Sequence, residues 1–285
     1  MNETSPSTTD LSTRLDTIDI ELSGYCNANC IFCPRDKMTR EKANLKEEFF
    51  DQLLREVSLL RPMGPRAFYL TGLGEPLYNK NIVNFAGSIR MIFPGTQIAV
   101  TSNATLLTLE LCEAILGSEI NSFQCSIPTI NESEYETIMG NRHFQSVVHW
   151  MTYLAERKKS AGLEVSVTIV RTTQTDQEVQ EYRNFWERRS VCVSERKVHN
   201  RGGFLDSGDS LEIKNRFGCA LFNARLFVAG NGDILACCHD LDGLSCLGTI
   251  GVQFLSAMLS AKTEMVRKQQ LFPMCAKCND SCGQY

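Results

Sequence analysis

Long apolar runs are missing from this 285-residue chain. No stretch approaches the roughly 18 consecutive apolar residues that a membrane-crossing helix needs, which argues against a membrane span. An excess of one charge is missing too: 29 Lys and Arg stand against 33 Asp and Glu, a net charge of −4. General nucleic-acid binding is thereby disfavoured, because it needs clustered cations to displace counterions; a cationic substrate is permitted. An apolar export core is absent from the polar opening MNETSPSTTDLST, so residues 1–15 read as a flexible leader and the expected location is cytoplasmic. Histidine is scarce, with four in the chain. Cysteine is not: there are thirteen. Where thiols are kept reduced, that abundance points to metal or redox chemistry instead of disulfides. Their placement is uneven, with Cys26, Cys30 and Cys33 close together, seven from Cys219 onward, and Cys112, Cys125 and Cys192 scattered between. The scattered three are expected to be core packing.

From residue 16 to about 210, short apolar runs alternate with helical patterns, as in βα units around a parallel sheet. The runs at 17–22, 67–71, 97–101, 122–127, 164–170 and 192–198 predict six strands, and helices are expected near 47–60, 81–92, 108–117, 143–158 and 176–189. The fold class this implies is α/β, a partial (β/α)6 barrel of the TIM type. Period-two alternation adds a further expectation, since buried parallel strands are usually apolar on both faces. Here Ile18, Ile20 and Leu22 alternate with Asp19 and Glu21, and Val165, Val167 and Ile169 with Ser166 and Thr168. With the apolar set against the helices, the lumen is lined by Glu21, Thr101, Gln124, Ser126 and Thr168, a polar interior suited to a bound substrate; a half-solvated sheet edge is the alternative.

Beyond Gly202 the Gly/Ser/Asp-rich GGFLDSGDS reads as a linker, followed by a hairpin (ARLFVA, GNGD, ILACC) and a helix near 253–270. A small C-terminal unit over 211–285, hairpin plus helix with a cysteine-rich tail, is therefore expected.

The stretch GYCNANCIFCPR spaces Cys26, Cys30 and Cys33 as C-x3-C-x2-C immediately after the first strand, at the barrel end where such enzymes build their sites. A zinc site wants a fourth Cys or His nearby, and the first histidine is His143. An iron–sulfur cubane held by three thiolates instead leaves one iron open to an exogenous ligand. In this spacing the chain resembles the radical S-adenosylmethionine (radical SAM) superfamily over residues 17–200. TGLGEP (Thr71 to Pro76) resembles that family's segment contacting the cofactor's amino group, and TSNATLLT (Thr101 to Thr108) its segment after the third strand. The resemblance implies a [4Fe-4S] cluster on Cys26, Cys30 and Cys33, and S-adenosylmethionine against Gly74, Glu75, Pro76, Asn103 and Ser126. It also implies one-electron supply from a flavodoxin or ferredoxin.

In the tail, Cys275-x2-Cys278-x3-Cys282 mirrors the first motif, while Cys219, Gly232 and Cys237 form a C-x12-G-x4-C hairpin pattern. This resembles the auxiliary-cluster extensions called SPASM and twitch, implying a second [4Fe-4S] cluster on Cys219, Cys237, Cys275 and Cys278. On spacing alone a four-cysteine zinc ribbon remains the rival. Cys238, Cys246 and Cys282 are left over as candidate hydrogen donors to a substrate radical, with Cys282 also a substitute ligand. Glu21, Arg171 and Arg201 are candidate substrate contacts at the barrel mouth. The expected activity is hydrogen abstraction from a substrate C–H bond. The expected substrate is a ribosomally made peptide, with recognition supplied by a separate protein, or an aminocyclitol or aminoglycoside intermediate undergoing dehydrogenation or epimerisation.

Overall fold

The computed structural model describes residues 15–171, 178–206 and 219–280; all but the last residue of the expected leader lies outside them. Six parallel strands appear where the alternation places them: β1 (Thr17–Ile20), β2 (Ala67–Leu70), β3 (Gln97–Ser102), β4 (Ser122–Ser126), β5 (Glu164–Arg171) and β6 (Cys192–Lys197). Helices α1 (Glu47–Leu60), α2 (Ile82–Ile92), α3 (Leu109–Leu116), α4 (Glu132–Met139), α5 (Phe144–Ala161) and α6 (Val179–Glu187) fill the crossovers. Ile18, Ile20, Phe68, Leu70, Ile98, Val100, Phe123, Cys125, Val165, Val167 and Ile169 belong to one buried core with α1 residues Phe50, Leu53 and Val57, α2 residues Phe85 and Ile89, and α3 residues Cys112 and Ile115. Each such side chain contributes about 1.5–3 kcal/mol on burial. Because the same alternate set on every strand meets helices, the helices cover one face of the sheet and the polar set lines the other. That is the wall of a partial barrel.

The sheet does not stop at β1. Strand β7 (Arg225–Val228) lies parallel to it in the register Thr17↔Arg225 through Ile20↔Val228, and β8 (Asp233–Leu235) and β9 (Cys246–Thr249) follow antiparallel, giving the order β6-β5-β4-β3-β2-β1-β7-β8-β9. The C-terminal hairpin thus extends the barrel's own sheet. Residues 207–218, spanning the expected boundary, lie outside the described residues. Helices α7 (Ala220–Ala224), α8 (Leu255–Arg267) and α9 (Pro273–Lys277) complete the C-terminal part.

Cys192 departs from expectation: it is exposed, because β6 is an outer strand paired only with β5. Helix α4 was not foreseen in the strand–helix pattern, although Asn131 caps it through bonds from the Ser133 and Glu134 amides and Gly140 ends it at φ +64°.

Candidate metal and cofactor site

The loop carrying Cys26, Cys30 and Cys33 leaves the C-terminal end of β1 and is fastened from three sides. Helix α4 supplies the first: the Asn29 and Ile31 amides donate to the Met139 and Ile138 carbonyls at 3.0 Å each, using carbonyls that a helix terminus leaves without partners. The β2 loop supplies the second. The Glu75 amide donates to the Tyr25 carbonyl at 2.7 Å, and Gly74 lies so close that a Cβ there would sit 2.0 Å from the Ser23 carbonyl oxygen. Only glycine fits this approach. The β3 loop supplies the third: the Asn103 amide group donates to Asn27 Oδ1 at 2.9 Å and to Cys26 Sγ at 3.7 Å, while Asn27 donates to Thr105 Oγ1 at 2.7 Å.

The thiols sit close enough that Cys33 adds to the rise of both Cys26 and Cys30. Cys30 is pushed up to about 12, first by burial and then by Cys33 and Cys26. Cys26 is also raised, chiefly by burial, although its sulfur accepts the Ala28 amide at 3.5 Å. Thiols gathered in this way become thiolates when a metal stands among them, so the donor set fits an iron–sulfur cluster with one iron left open.

The second group converges in the C-terminal part. Cys219, Cys237, Cys275 and Cys278 line one cavity with Phe222, His239, Met274 and Asp280. Cys219 precedes α7, Cys237 follows β8, and Cys275 and Cys278 lie on and just after α9. Cys237 Sγ accepts the His239 amide at 3.5 Å, and Cys278 Sγ accepts the Asp280 and Gly202 amides. Each of Cys26, Cys237 and Cys278 therefore takes an amide from two residues ahead, the kind of hydrogen bond that tunes thiolate clusters. Around the cavity His239 Nε2 bonds Asp280 Oδ2 at 2.7 Å, with His199 Nε2 at 3.7 Å from the same oxygen. The reciprocal bonds Asn200 N to Asn279 Oδ1 (2.6 Å) and Asn279 N to Asn200 Oδ1 (3.1 Å) stitch the chain after β6 to this tail.

Several expected site residues have other employment. Glu21 does not face an open lumen: it is 1% exposed, and both oxygens are taken by Arg40 at 2.7 Å, with further bonds from the Leu73 and Gly230 amides. It clamps the loops after β1, β2 and β7 together. The Glu75 carboxylate turns away from the cysteine loop to accept Ser102 Oγ (2.6 Å) and the Asn103 and Leu77 amides. Its backbone, with Gly74 and Pro76, is what borders the cysteines. Arg171 pairs with Glu195 at 3.5 Å on the exposed side of β5. Cys246 is exposed on β9 and outside the cavity lining. Arg201 lies against the tail instead of the barrel mouth, its charge acting on Cys238, His239 and Asp280. Cys238 is hydrogen-bonded to Cys237 and packs with Phe227, Ala229 and Leu235. Cys282 falls outside the described residues. Ser126 ends β4, half-buried, opposite Thr168. On the concave face Gln124 and Thr168 both bond Ser194 (3.2 and 2.8 Å), and Arg196 reaches Gln124 at 3.5 Å. Ser194, Arg196, Asn27 and Thr105 were missed in the sequence because nothing in their spacing sets them apart.

With this geometry in view, the family model for the radical SAM superfamily matches residues 20–185, more than half of the chain. The chain belongs to the radical SAM superfamily. Membership of this enzyme superfamily implies S-adenosylmethionine and one [4Fe-4S] cluster. Among curated relatives, a probable GTP 3′,8-cyclase of Methanothermobacter thermautotrophicus is 29% identical over 136 residues, 48% of this chain and 43% of that protein. This radical SAM protein therefore spans less than half the length of that relative. The S-adenosyl-L-methionine-dependent 2-deoxy-scyllo-inosamine dehydrogenase of Niallia circulans is 23% identical, over 84% of this chain and 80% of its own. Among solved structures, BtrN in complex with AdoMet and 2-DOIA aligns at TM-score 0.62 and 19% identity, covering 94% of both chains. Streptococcus suis SuiB bound to precursor peptide SuiA aligns at TM-score 0.70 and 18% identity, covering 93% of this chain and 70% of its own. These likenesses establish the shared fold.

Proposed function

We infer that the protein reductively cleaves S-adenosylmethionine at the Cys26, Cys30 and Cys33 site and directs the resulting radical at a C–H bond of a small polar substrate held on the concave face of the sheet. The bound cluster and cofactor would supply the 5′-deoxyadenosyl radical. The chain's own residues hold the cysteine loop rigid, place Asn103 against Cys26, and shape the lumen. The observation carrying this reading is the convergence of two separate cysteine sets, three thiols at the end of β1 and four around one cavity in the C-terminal part. Four cavity thiols make a closed site of the SPASM or twitch kind.

The extent of the alignment favours the small substrate. The aminocyclitol dehydrogenase is matched over most of both chains, and a lumen lined by Gln124, Thr168, Ser194 and Arg196 offers hydrogen bonds in place of apolar pockets. A peptide substrate is the second reading, supported by the likeness to SuiB with its precursor peptide.

Anaerobically purified protein is expected to be brown and to carry about eight irons per chain, as two cubanes require. It is expected to release 5′-deoxyadenosine when reduced with dithionite in the presence of S-adenosylmethionine. About four irons would remove the second cluster, and zinc in the tail would establish the ribbon.

A further inference from the structure

Among the described residues, the concave face holds one buried acid whose oxygens are not spent. Glu21, Glu75 and Asp280 each have their carboxylates engaged by several donors or by histidine. Asp19 differs. It is 2% exposed, it points to the concave face between Ile18 and Ile20, and among the described residues it accepts only two long bonds, 3.3 and 3.4 Å, from Arg225 Nη1 of β7. The Arg225 guanidinium, partly exposed, lies 5.2 Å above the Tyr69 ring of β2. Cys238 and His239, from the segment after β8, complete the charged groups acting on Asp19. The site therefore lies where β1, which leads into the first cysteine loop, meets the hairpin that carries Cys237.

A buried carboxylate with unused lone pairs is a costly arrangement unless a donor arrives. Burial first, then Cys238, push Asp19 up to about 7, with Arg225 opposing. A bound ammonium group reverses that burden by pairing with the charged form. Beside it the guanidinium offers donors to a hydroxyl oxygen.

We propose that Asp19 and Arg225 form the substrate-recognition pair of the lumen, Asp19 taking the ammonium and Arg225 a neighbouring hydroxyl of an amine-bearing polyol. This assignment rests on the reading of the lumen as the substrate site and names the class of substrate it takes. A purely architectural ion pair joining β1 to β7 is the competing account. The two differ in ligand selectivity, which architecture alone would not produce.

The test is equilibrium binding by calorimetry to the anaerobic, S-adenosylmethionine-loaded holoenzyme, using scyllo-inosamine and its amine-free counterpart scyllo-inositol as probes. The wild type is expected to prefer the amine by about tenfold or more, the worth of one charge-assisted bond. Asp19→Asn is expected to erase that preference, and Asp19→Glu to restore part of it. Should Asp19→Asn fold poorly, the wild type alone decides: affinity for the amine should rise as pH increases through about 7, where Asp19 ionises while the amine stays charged. An unchanged preference in folded Asp19→Asn, a flat pH profile, or a cofactor-cleaving holoenzyme that binds neither probe overturns the proposal. Loss of iron or of cofactor cleavage in the wild type would instead strike the functional reading itself, and this assignment would fall with it.

Discussion

Glu21 and Arg40 are each less than a tenth exposed and joined by two bonds of 2.7 Å. Replacing one partner strands the other's charge in the interior, so Glu21→Gln is expected to cost about 3–5 kcal/mol, read as a lowered denaturant midpoint. Gly74 carries a different kind of burden. A methyl group there meets backbone oxygen, which cannot rotate aside, so Gly74→Ala should displace the cysteine loop. Iron should drop to about four per chain, with the tail cluster retained. Titration gives a third expectation. Burial raises both Asp19 and Glu75 to about 7, so the fold favours their neutral forms. Their contribution to stability is complete below the unfolded carboxylate values near 4 and is lost as pH rises through about 7. The melting temperature should therefore decline between about pH 4 and 7 and level off above that, and the decline should be shallower in Glu75→Gln.

At the scale of elements, the chain after β6 and the tail hold each other through Asn200 and Asn279, with Asn200 Nδ2 also donating to the Lys277 carbonyl at 2.6 Å. Asn200→Ala should loosen residues 277–280 and speed amide exchange there, with little change in β1 to β5. The six parallel strands were legible because short runs rich in apolar residues recur between helical patterns, four of them alternating apolar with polar residues, and their boundaries fall within two residues of expectation. The three-cysteine loop was legible for another reason, that its spacing is local. What escaped was non-local or short. Helix α4 is eight residues long with a weakly apolar face, and its role emerges only where its C-terminal carbonyls meet Asn29 and Ile31. Glu21 read as a lumen acid because alternation fixes which way a side chain points. It does not reveal that Arg40, nineteen residues later, folds back to cover it. Ser194 and Arg196 gained meaning only from the neighbouring strands.

For the whole molecule, the two cysteine groups sit on loops and short helices next to different strands of one continuous sheet. Cys275→Ala combined with Cys278→Ala should therefore remove about half of the iron, while the remaining protein still cleaves S-adenosylmethionine, measured as 5′-deoxyadenosine. The pairing of β1 with β7 carries a further consequence. Residues 17–20 find one sheet neighbour in β2 but the other only in residues 225–228. During synthesis on the ribosome the first strand must wait for more than two hundred residues before that edge is covered, and the Gly230 amide reaches Glu21 only then. Long-range parallel pairing is slow to form. The nascent chain thus holds Cys26, Cys30 and Cys33 in an unfinished barrel until residues 225–228 have been made.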